Sequence, residues 1–290
     1  MTGPLRGFRR ADGRLGARNH ILVLPSVVCA DQTATLIGVE AGAVAVVHQH
    51  GCGQVGDDVV HTERAFLGFA TNPNVGAAVV VSLGCETIQG RRLANLIAER
   101  GQRLEFVGIQ LMGGTANTVE RGREAVGRLR TALASDRAVE APLADFVLGI
   151  ATDAHGELAT ELAAVAERAG ARAVVAIPGR RPAGAAGTVL EDAGDGAEQH
   201  VALAGAGAQV IVSLRGPGRP PHGFATGPVV AVAGDRDIFE ALRDDFDLDG
   251  SATSAEEIWD RALAAFNGEL TASERRGARD FVLRRIARTM

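Results

Sequence analysis

Residues 43–53 read Ala-Val-Ala-Val-Val-His-Gln-His-Gly-Cys-Gly. The first five residues are apolar and rich in β-branched valine, which is typical of a buried strand. Two imidazoles and a thiol follow between glycines, so groups that bind borderline metals and carry protons stand where a strand opens into a loop. The same residues also suit a tight turn with a buried cysteine and two partly exposed histidines. This stretch alone leaves both interpretations open.

The succession of an apolar run and a polar or glycine-rich step recurs through the first half of the chain. The runs predict strands at 20–28, 43–47, 77–83 and 104–110. Helix-like segments lie between and after them, at 30–41, 57–70, 89–100 and 115–134. Continuous apolar strands that alternate with helices indicate a parallel sheet covered on both faces.

The composition changes over residues 131–145, where Ala-rich, charged sequence precedes Pro142, and this change indicates a boundary. A second alternating set follows, with strands predicted at 146–152, 172–177, 209–214 and 228–233. Capping patterns at 253–257 and 271–274 predict two closing helices. We therefore predict an α/β protein with two doubly wound, Rossmann-like parallel-sheet domains, residues 1–140 and 141–290, the second ending in helices.

Residues 8–19 contain four arginines with glycines between them, a composition that predicts a loop or hairpin. Arginine forks bind carboxylates in a bidentate way, so Arg14 and Arg18 are candidates to hold an anionic substrate. A solvated basic lead-in is the plainer interpretation of the same residues.

Composition excludes several functions. All 30 basic residues are arginines, and there is no tyrosine, so a Schiff-base lysine, a P-loop lysine and a tyrosine acid are ruled out. A net charge of -5 gives no general affinity for nucleic acid. Three cysteines do not suit a disulfide framework, and no leader or membrane-spanning run is visible. We expect a cytoplasmic protein with neither a nucleic-acid nor a membrane partner.

Ligands of parallel α/β sheets bind beyond the carboxyl ends of the strands. The polar residues that fall there share this position although they are far apart in sequence: Cys29, His48, His50, Cys52, Cys85, Glu86, Gln110 and Thr115. Core packing would not select this end of every strand. We therefore expect these residues to converge on one cleft.

The motifs also resemble a known family when they are taken in order. They are Asp12-Gly13-Arg14 with Arg18-Asn19, Ser26 with Cys29, His48 with Cys52, Pro73-Asn74-Val75, Gly84-Cys85-Glu86, Gln110 with Gly113-Gly114-Thr115, and Asn267-Gly268-Glu269-Leu270-Thr271 with Glu274. This order resembles the large catalytic region of the altronate and galactarate dehydratase family, and the large subunit of sulfolactate sulfo-lyase is similar. The resemblance is dense over 8–122 and sparse over 145–250.

The resemblance implies a lyase that removes water from a sugar acid with the help of a metal, usually iron(II). Such a step takes the proton α to a carboxylate and expels the β-hydroxyl group, which requires a base, an acid and a cation. The implied catalytic residues are His48, Cys52 and Glu86. The implied metal ligands are His48, Cys52, Cys85 and Glu86. Their mixed sulfur, nitrogen and oxygen donors suit Fe(II) or Zn better than magnesium, and Mn or no metal also stay open.

The implied substrate contacts are Arg14, Arg18, Asn19, Ser26, Asn74, Gln110, Gly113, Gly114 and Thr115. The substrate is expected to be a small anion. By the same resemblance we expect this protein to lack the family's small N-terminal domain, which split members carry as a separate chain. We therefore expect a homo-oligomer or a separate small subunit as the partner.

Two further positions depart from the family. Its Gly-Gly-Ser-Asp signature is replaced over 149–156 by Gly-Ile-Ala-Thr-Asp-Ala-His-Gly, and Asn72 stands where a histidine usually precedes Pro-Asn. We predict a dehydratase-type lyase acting on a small hydroxy or sugar acid. A catalytically degenerate relative that binds small acids or regulates a partner is the second hypothesis. A thiol-based hydrolase or transferase using Cys52 or Cys85 is the third.

Overall fold

The chain begins with a hairpin, as one of the two interpretations of residues 8–19 proposed. The computed structural model describes residues 4–153, 156–180 and 187–286. In it β1 (Leu5–Arg9) pairs antiparallel with β2 (Leu15–Gly16). Gly13 has a positive φ of 86° at the turn, a conformation that favours glycine.

A four-stranded parallel sheet follows the hairpin. Its strands are β3 (His20–Pro25), β4 (Val44–Ala45), β5 (Val75–Ser82) and β6 (Arg103–Gly108), in the spatial order β4-β3-β5-β6. The helices that connect and follow them are α1 (Asp31–Ala41), α2 (Asp57–Ala70), α3 (Gly90–Glu99) and α4 (Thr115–Leu133). The predicted helix bounds agree with these to within a residue.

Side chains of this sheet alternate between two apolar layers, because successive residues of a strand point to opposite faces. Ile21 and Val23 pack with α1 and α4, whereas Leu22 and Leu24 pack with α2 and α3. Both faces are therefore buried, which explains why β5 is apolar at nearly every position.

Two predicted strands were too long at their carboxyl ends. Only Val44 and Ala45 of the run 43–47 form a strand, and Val47 is 53% exposed, because β4 is an edge strand that the chain leaves early. β3 ends at Pro25, and a single 3-10 turn, Val28–Ala30, carries Cys29 into α1.

The segment predicted as a boundary contains a further strand, β7 (Ala138–Ala141), which pairs antiparallel with β1. The N-terminal hairpin is thereby tied to the chain that enters the second half. The boundary proposed between residues 140 and 141 falls inside this strand.

The second parallel sheet has six strands. They are β8 (Val147–Thr152), β9 (Arg172–Ala176), β10 (Thr188–Leu190), β11 (Val210–Leu214), β12 (Val229–Ala233) and β13 (Leu248–Asp249), in the order β10-β9-β8-β11-β12-β13. Numbered from its own first strand, this order is 3-2-1-4-5-6, as in dinucleotide-binding Rossmann sheets. Its helices are α5 (Glu157–Arg168), α6 (Ala197–Gly205), α7 (Arg236–Ala241), α8 (Ala255–Phe266) and α9 (Ala272–Arg275). The predicted fold class, two Rossmann-like α/β units with C-terminal helices, is confirmed.

Helices α2 and α6 lie between the two sheets and join them in one apolar cluster. A Cβ atom on Gly68 of α2 would lie 2.8 Å from the Cα atom of Gly205 on α6, so glycine permits the close approach of the two backbones. Both closing helices begin as predicted, since Ser254 and Thr271 each form a complete capping box. No helix of the described residues is long and apolar enough to cross a membrane.

After α9 the chain returns to the first sheet as a segment that we call the C-terminal strap (residues 279–286). The Phe281 ring packs on Phe69 with ring centroids 4.5 Å apart, and Leu283 is buried. The backbone N–H of Ile286 donates to Asp58 Oδ1 at 2.6 Å. The strap therefore fastens the second half of the chain onto α2.

Candidate functional site

Strands β3 and β5 are neighbours whose connections leave in opposite directions, so the crevice beyond their carboxyl ends is the place where such sheets bind ligands. Ser26 follows β3 and Glu86 follows β5. The Ser26 hydroxyl donates to Glu86 Oε1 at 3.0 Å. We call this place the first crevice. The structure thus brings together two predicted site residues that are sixty positions apart.

Both oxygens of Glu86 accept hydrogen bonds from their own loop. Oε2 accepts from the Gly84 N–H at 2.5 Å, and Oε1 accepts from the Gly90 N–H at 3.1 Å. Burial by itself raises the pKa of this carboxyl group, but the backbone and Ser26 hydrogen bonds outweigh it and hold the pKa below its ordinary value. Glu86 is therefore an ionised group that fixes the loop between β5 and α3.

The His-rich loop (residues 48–53) lies beside this crevice, and His48 is buried at its start. Its Nδ1 accepts the N–H of His50 at 3.2 Å, so Nε2 carries the proton and donates to the Pro25 carbonyl at 3.1 Å. Burial lowers the pKa of His48 to about 4, which keeps the ring neutral at pH 7. Both ring nitrogens are engaged within the chain.

His50 is also fully engaged. Its Nδ1 accepts from the Gln54 amide at 2.5 Å, and its Nε2 donates to the Leu283 carbonyl of the C-terminal strap at 3.1 Å. Gln49 donates to the same carbonyl at 3.0 Å. The His-rich loop is thereby held by the strap.

The three thiols, in contrast, are exposed: Cys29, Cys52 and Cys85. Cys52 Sγ lies 3.9 Å from the Cys85 carbonyl oxygen, and the Thr87 hydroxyl donates to the Cys52 carbonyl at 3.1 Å. The loops after β4 and β5 therefore meet at the first crevice, as the predicted convergence requires. The exposed groups there are the thiols, while His48 and Glu86 are buried.

The loop after β6 completes the edge. Gln110 packs its side-chain amide against Gly84 of the neighbouring loop, where a Cβ atom would clash. Gly113 and Gly114 have φ values of 77° and 122°, and α4 begins at Thr115 without a side-chain cap. Uncapped N–H groups at the start of a helix favour a negative charge.

Four predicted substrate contacts lie at the opposite, amino end of the sheet. Arg14, Arg18 and Asn19 precede β3, and Asn74 precedes β5. A strand of six residues separates the two ends by roughly 20 Å, since each residue adds about 3.3 Å. The structure therefore does not place these four residues in one cleft with Ser26.

The two arginines have partners within the chain. Arg14 donates from Nε to Asp12 at 2.6 Å and from Nη2 to the Thr71 carbonyl at 2.8 Å. Arg18 forms a bidentate pair with Glu274, at 2.8 and 3.0 Å, and also donates to the Ala265 carbonyl at 3.0 Å. The Arg18 fork thus ties the first sheet to α9 and has no pair of donors left for a carboxylate.

The two asparagines also have structural partners. Asn74 accepts from the Ala17 N–H at 2.9 Å and donates to the Gln209 carbonyl at 2.8 Å. Asn19 accepts from Arg10 Nη1 at 2.7 Å. Both positions were predicted as substrate contacts through the family resemblance, but their contacts join the hairpin to the two sheets.

Three features of the structure were missed from the sequence. Asp31 at the start of α1 accepts the His48 N–H through Oδ2 at 3.0 Å, and burial raises its pKa to about 6. The strand-end rule that found Glu86 also applies to Asp153 and Arg215, which follow β8 and β11. The third is the C-terminal strap, whose contacts with the His-rich loop are set by long-range packing.

Asp153 and Arg215 lie at the switch point of the second sheet, which we call the second crevice. Arg215 Nη1 donates to Asp153 Oδ1 at 2.7 Å, and the Gly216 N–H donates to Oδ2 at 2.6 Å. The side chains are 3% and 9% exposed. Ala154 and His155, which complete the altered signature, lie outside the described residues.

The predicted metal ligands do not form a metal centre in this arrangement. His48 has no free ring nitrogen, and both oxygens of Glu86 accept from their own loop. Within the described ranges no three His, Cys, Asp or Glu side chains gather closely enough to hold a metal ion. The donors present therefore do not fit the predicted metal, and we derive no chemical step through it.

The fold and its two crevices define a doubly wound α/β protein whose candidate site residues lie beyond strand ends. Comparison with known proteins is more specific. The model for the second domain of D-galactarate dehydratase/altronate hydrolase matches residues 7–134, and the C-terminal model of D-galactarate/altronate dehydratase matches residues 164–289. The chain belongs to the D-galactarate/altronate dehydratase family. The altered signature falls between the two matched ranges.

Three relatives show how far the similarity extends. The altronate dehydratases of Bacillus subtilis (strain 168) and Escherichia coli (strain K12) are 28% identical over 157 and 156 residues, covering 50% and 49% of this chain. The (2R)-sulfolactate sulfo-lyase subunit beta of Chromohalobacter salexigens is 34% identical over 127 residues, or 41% of this chain. Each match covers 31% of the relative's own length.

Proposed function

We propose that the protein is a dehydratase-type lyase whose substrate, a small hydroxy acid, binds at the first crevice. The observation that carries the proposal is the meeting of the loops after β4 and β5, where Cys52 Sγ lies 3.9 Å from the carbonyl of Cys85, the residue before Glu86 of the Ser26–Glu86 pair. Membership of a dehydratase family supports the reaction class.

The groups of the first crevice suit different parts of such a reaction. The exposed start of α4, beyond Gly113 and Gly114, offers N–H groups and a positive dipole end to the substrate carboxylate. Cys52 is exposed and becomes the acceptor of the α-proton once it is ionised. Glu86 holds Ser26 and its own loop in place and thereby positions the crevice.

The loss of the β-hydroxyl group needs a proton donor as well as a base. Cys85 is an exposed thiol whose backbone carbonyl contacts Cys52, so we assign it this role. Cys52 takes the α-proton and Cys85 gives a proton to the departing hydroxyl group. The two transfers together balance the elimination of one water molecule. One relative is subunit beta of a sulfolactate sulfo-lyase, and this supports a second chain as the partner of the active unit.

The direct test is turnover of a panel of hydroxy acids, with formation of the 2-oxo acid product as the readout. The panel contains hexarates, hexonates and three-carbon hydroxy acids, each with and without added Fe(II), Mn(II) or Zn(II). We expect at least one to be dehydrated by the wild type and by Cys29→Ser, and none by Cys52→Ser. Equal turnover by Cys52→Ser would overturn the role of that thiol.

A second function is favoured by one observation: His48 and Glu86, both predicted to be catalytic, are buried and fully bonded within the chain. This arrangement suits a protein that binds small acids without converting them. Calorimetric binding of a panel acid without any product would support this second function. Saturable turnover of the same acid would reject it.

A further inference from the structure

Three neighbouring loops at the carboxyl edge of the first sheet each carry an exposed thiol. Cys29 follows β3, Cys52 follows β4 and Cys85 follows β5. They are the only cysteines of the chain. The proposed lyase step uses two of them, and their proximity allows a second chemistry that the reaction does not need.

The loops of Cys52 and Cys85 are held against each other by two contacts. Besides the 3.9 Å approach of Cys52 Sγ to the Cys85 carbonyl, the Thr87 hydroxyl donates to the Cys52 carbonyl at 3.1 Å. Cys29 is also close to the His-rich loop, because the N–H of Val28 donates to the His50 carbonyl at 2.9 Å. Its sulfur, however, makes no hydrogen-bond contact within the described ranges.

We propose that Cys52 and Cys85 are a redox modification site, at which a hydroperoxide drives formation of an intramolecular disulfide across the first crevice. One thiol attacks the peroxide ROOH and gives a sulfenic acid with release of ROH. The second thiol attacks that sulfur and expels water, which leaves the S–S bond. The peroxide is reduced, the two thiols are oxidised, and a dithiol reverses the change by exchange.

A disulfide requires Cα atoms about 4.4–6.8 Å apart, so its formation here depends on how freely the backbone around Cys52 can adjust. Gly51 and Gly53 flank Cys52. A Cβ atom at Gly53 would meet nothing within 4 Å, and one at Gly51 would meet only a Val28 methyl group at 3.4 Å. The backbone on either side of Cys52 is therefore not closely packed, which favours adjustment of this part of the His-rich loop.

The order of the strands in the sheet indicates how a disulfide between Cys52 and Cys85 would affect the first crevice. Strands β4 and β5 lie on either side of β3, so a link between the loops that follow them crosses the end of β3, where Ser26 lies. The oxidised form closes the first crevice above the Ser26–Glu86 pair. The resulting loss of turnover rests on the proposed function, whereas the covalent bond itself does not.

The covalent test uses the whole chain, hydrogen peroxide as oxidant, and alkylation of the remaining thiols before trypsin digestion. No arginine lies between Arg18 and Arg64, so one tryptic peptide, 19–64, carries both Cys29 and Cys52, while 65–91 carries Cys85. We expect free thiols to fall from three to one and the two peptides to become linked. Dithiothreitol should separate them again.

Serine variants identify the partner within peptide 19–64. The link should persist in Cys29→Ser and disappear in Cys52→Ser and Cys85→Ser, all of which are conservative changes at exposed positions. A link retained in Cys52→Ser, a dimer linked between two chains, or sulfinic acid without any link would each overturn the proposal.

Activity is a separate arm of the same experiment. If the wild type dehydrates an acid, oxidation should abolish that turnover and dithiothreitol should restore it, with Cys29→Ser behaving like the wild type. If no acid is converted, the proposed function fails while the peptide link still decides the disulfide. A linked protein with unchanged turnover would contradict the closure of the crevice.

Discussion

The two crevices occupy equivalent places in similar sheets, yet their contacts differ in kind. In the second crevice a guanidinium faces a carboxylate, Arg215 to Asp153 at 2.7 Å, and both side chains are almost wholly buried. In the first crevice the buried pair is a hydroxyl and a carboxylate, Ser26 and Glu86, and exposed thiols surround it. The ion pair of the second crevice joins the ends of two strands, whereas the first crevice has reactive thiols at its surface.

This difference makes the first crevice the better candidate for chemistry in this chain. The Arg215–Asp153 pair is buried and bonded within the chain, so its main effect is expected to be on folding. The altered signature includes Asp153 of the second crevice, where such a change in role would be expected.

The largest effect is expected from Arg215→Ala. Removal of Arg215 leaves the buried Asp153 carboxylate with only the half-exposed Arg219, 3.8 Å away, as a countercharge, so the free energy of unfolding should fall by about 3–5 kcal/mol. Chemical denaturation measures the change. Arg219→Ala is the matched control, because Arg219 is 49% exposed and its ion pairs should contribute less than about 1 kcal/mol. Equal losses in the two variants would contradict a structural second crevice.

Glu86→Gln should lower turnover of the substrate by ~100-fold, because an amide NH₂ group faces the N–H groups of Gly84 or Gly90 and displaces the loop. Steady-state kinetics measure the loss in kcat at a temperature where circular dichroism shows the variant to be folded. Glu99→Gln, on the exposed face of α3, is the matched control and should retain full turnover. Turnover by Glu86→Gln at the wild-type rate would show that Glu86 is not part of the site.

His48 should make the protein sensitive to acid. The pKa of His48 is about 4 in the folded chain, whereas the ordinary value for a histidine is 6.5. On acidification the unfolded chain therefore takes up a proton that the folded chain does not. The stabilisation that comes from the neutral His48 is fully present above pH 6.5 and is lost as the pH falls toward 4. Between pH 7 and pH 5 the loss is about 2 kcal/mol, at about 1.4 kcal/mol per pKa unit.

Denaturation at several pH values compares the wild type with His48→Gln, whose amide can donate to Pro25 but does not titrate. The variant should lose less stability on acidification. Asp31 keeps its raised pKa in both proteins, so its opposite contribution cancels in the comparison. His200 on α6 is also buried with a pKa of about 4, so His200→Gln should flatten the profile in the same way. Parallel profiles for His48→Gln and wild type would refute the assignment.

The sequence predicted the strand ends because their signals are local. An apolar run that stops at glycine or a polar step is visible in the chain, and Cys52, Cys85, Glu86 and Gln110 were predicted that way, whereas Ser26 was predicted only through the family resemblance. The strap contacts were not predictable, since Leu283 meets His50 only through the packing of Phe281 on Phe69. The same limit explains Arg18: nothing local reveals that its fork is taken by Glu274.

The smallest effect is expected at the amino end of the first sheet, from Arg14→Lys. Arg14 is 44% exposed in its side chain and pairs with Asp12 in the same hairpin, so the change should cost less than about 1 kcal/mol of unfolding free energy. Because Arg14 lies at the far end of the sheet from the first crevice, calorimetric affinity for the substrate acid should not change. Arg18→Lys is the matched contrast, since it replaces a bidentate, nearly buried fork and should lose more stability without any loss of affinity. Weaker binding by Arg14→Lys would instead show that a carboxylate is held at the amino end, and the first crevice would then no longer be the place where the substrate binds.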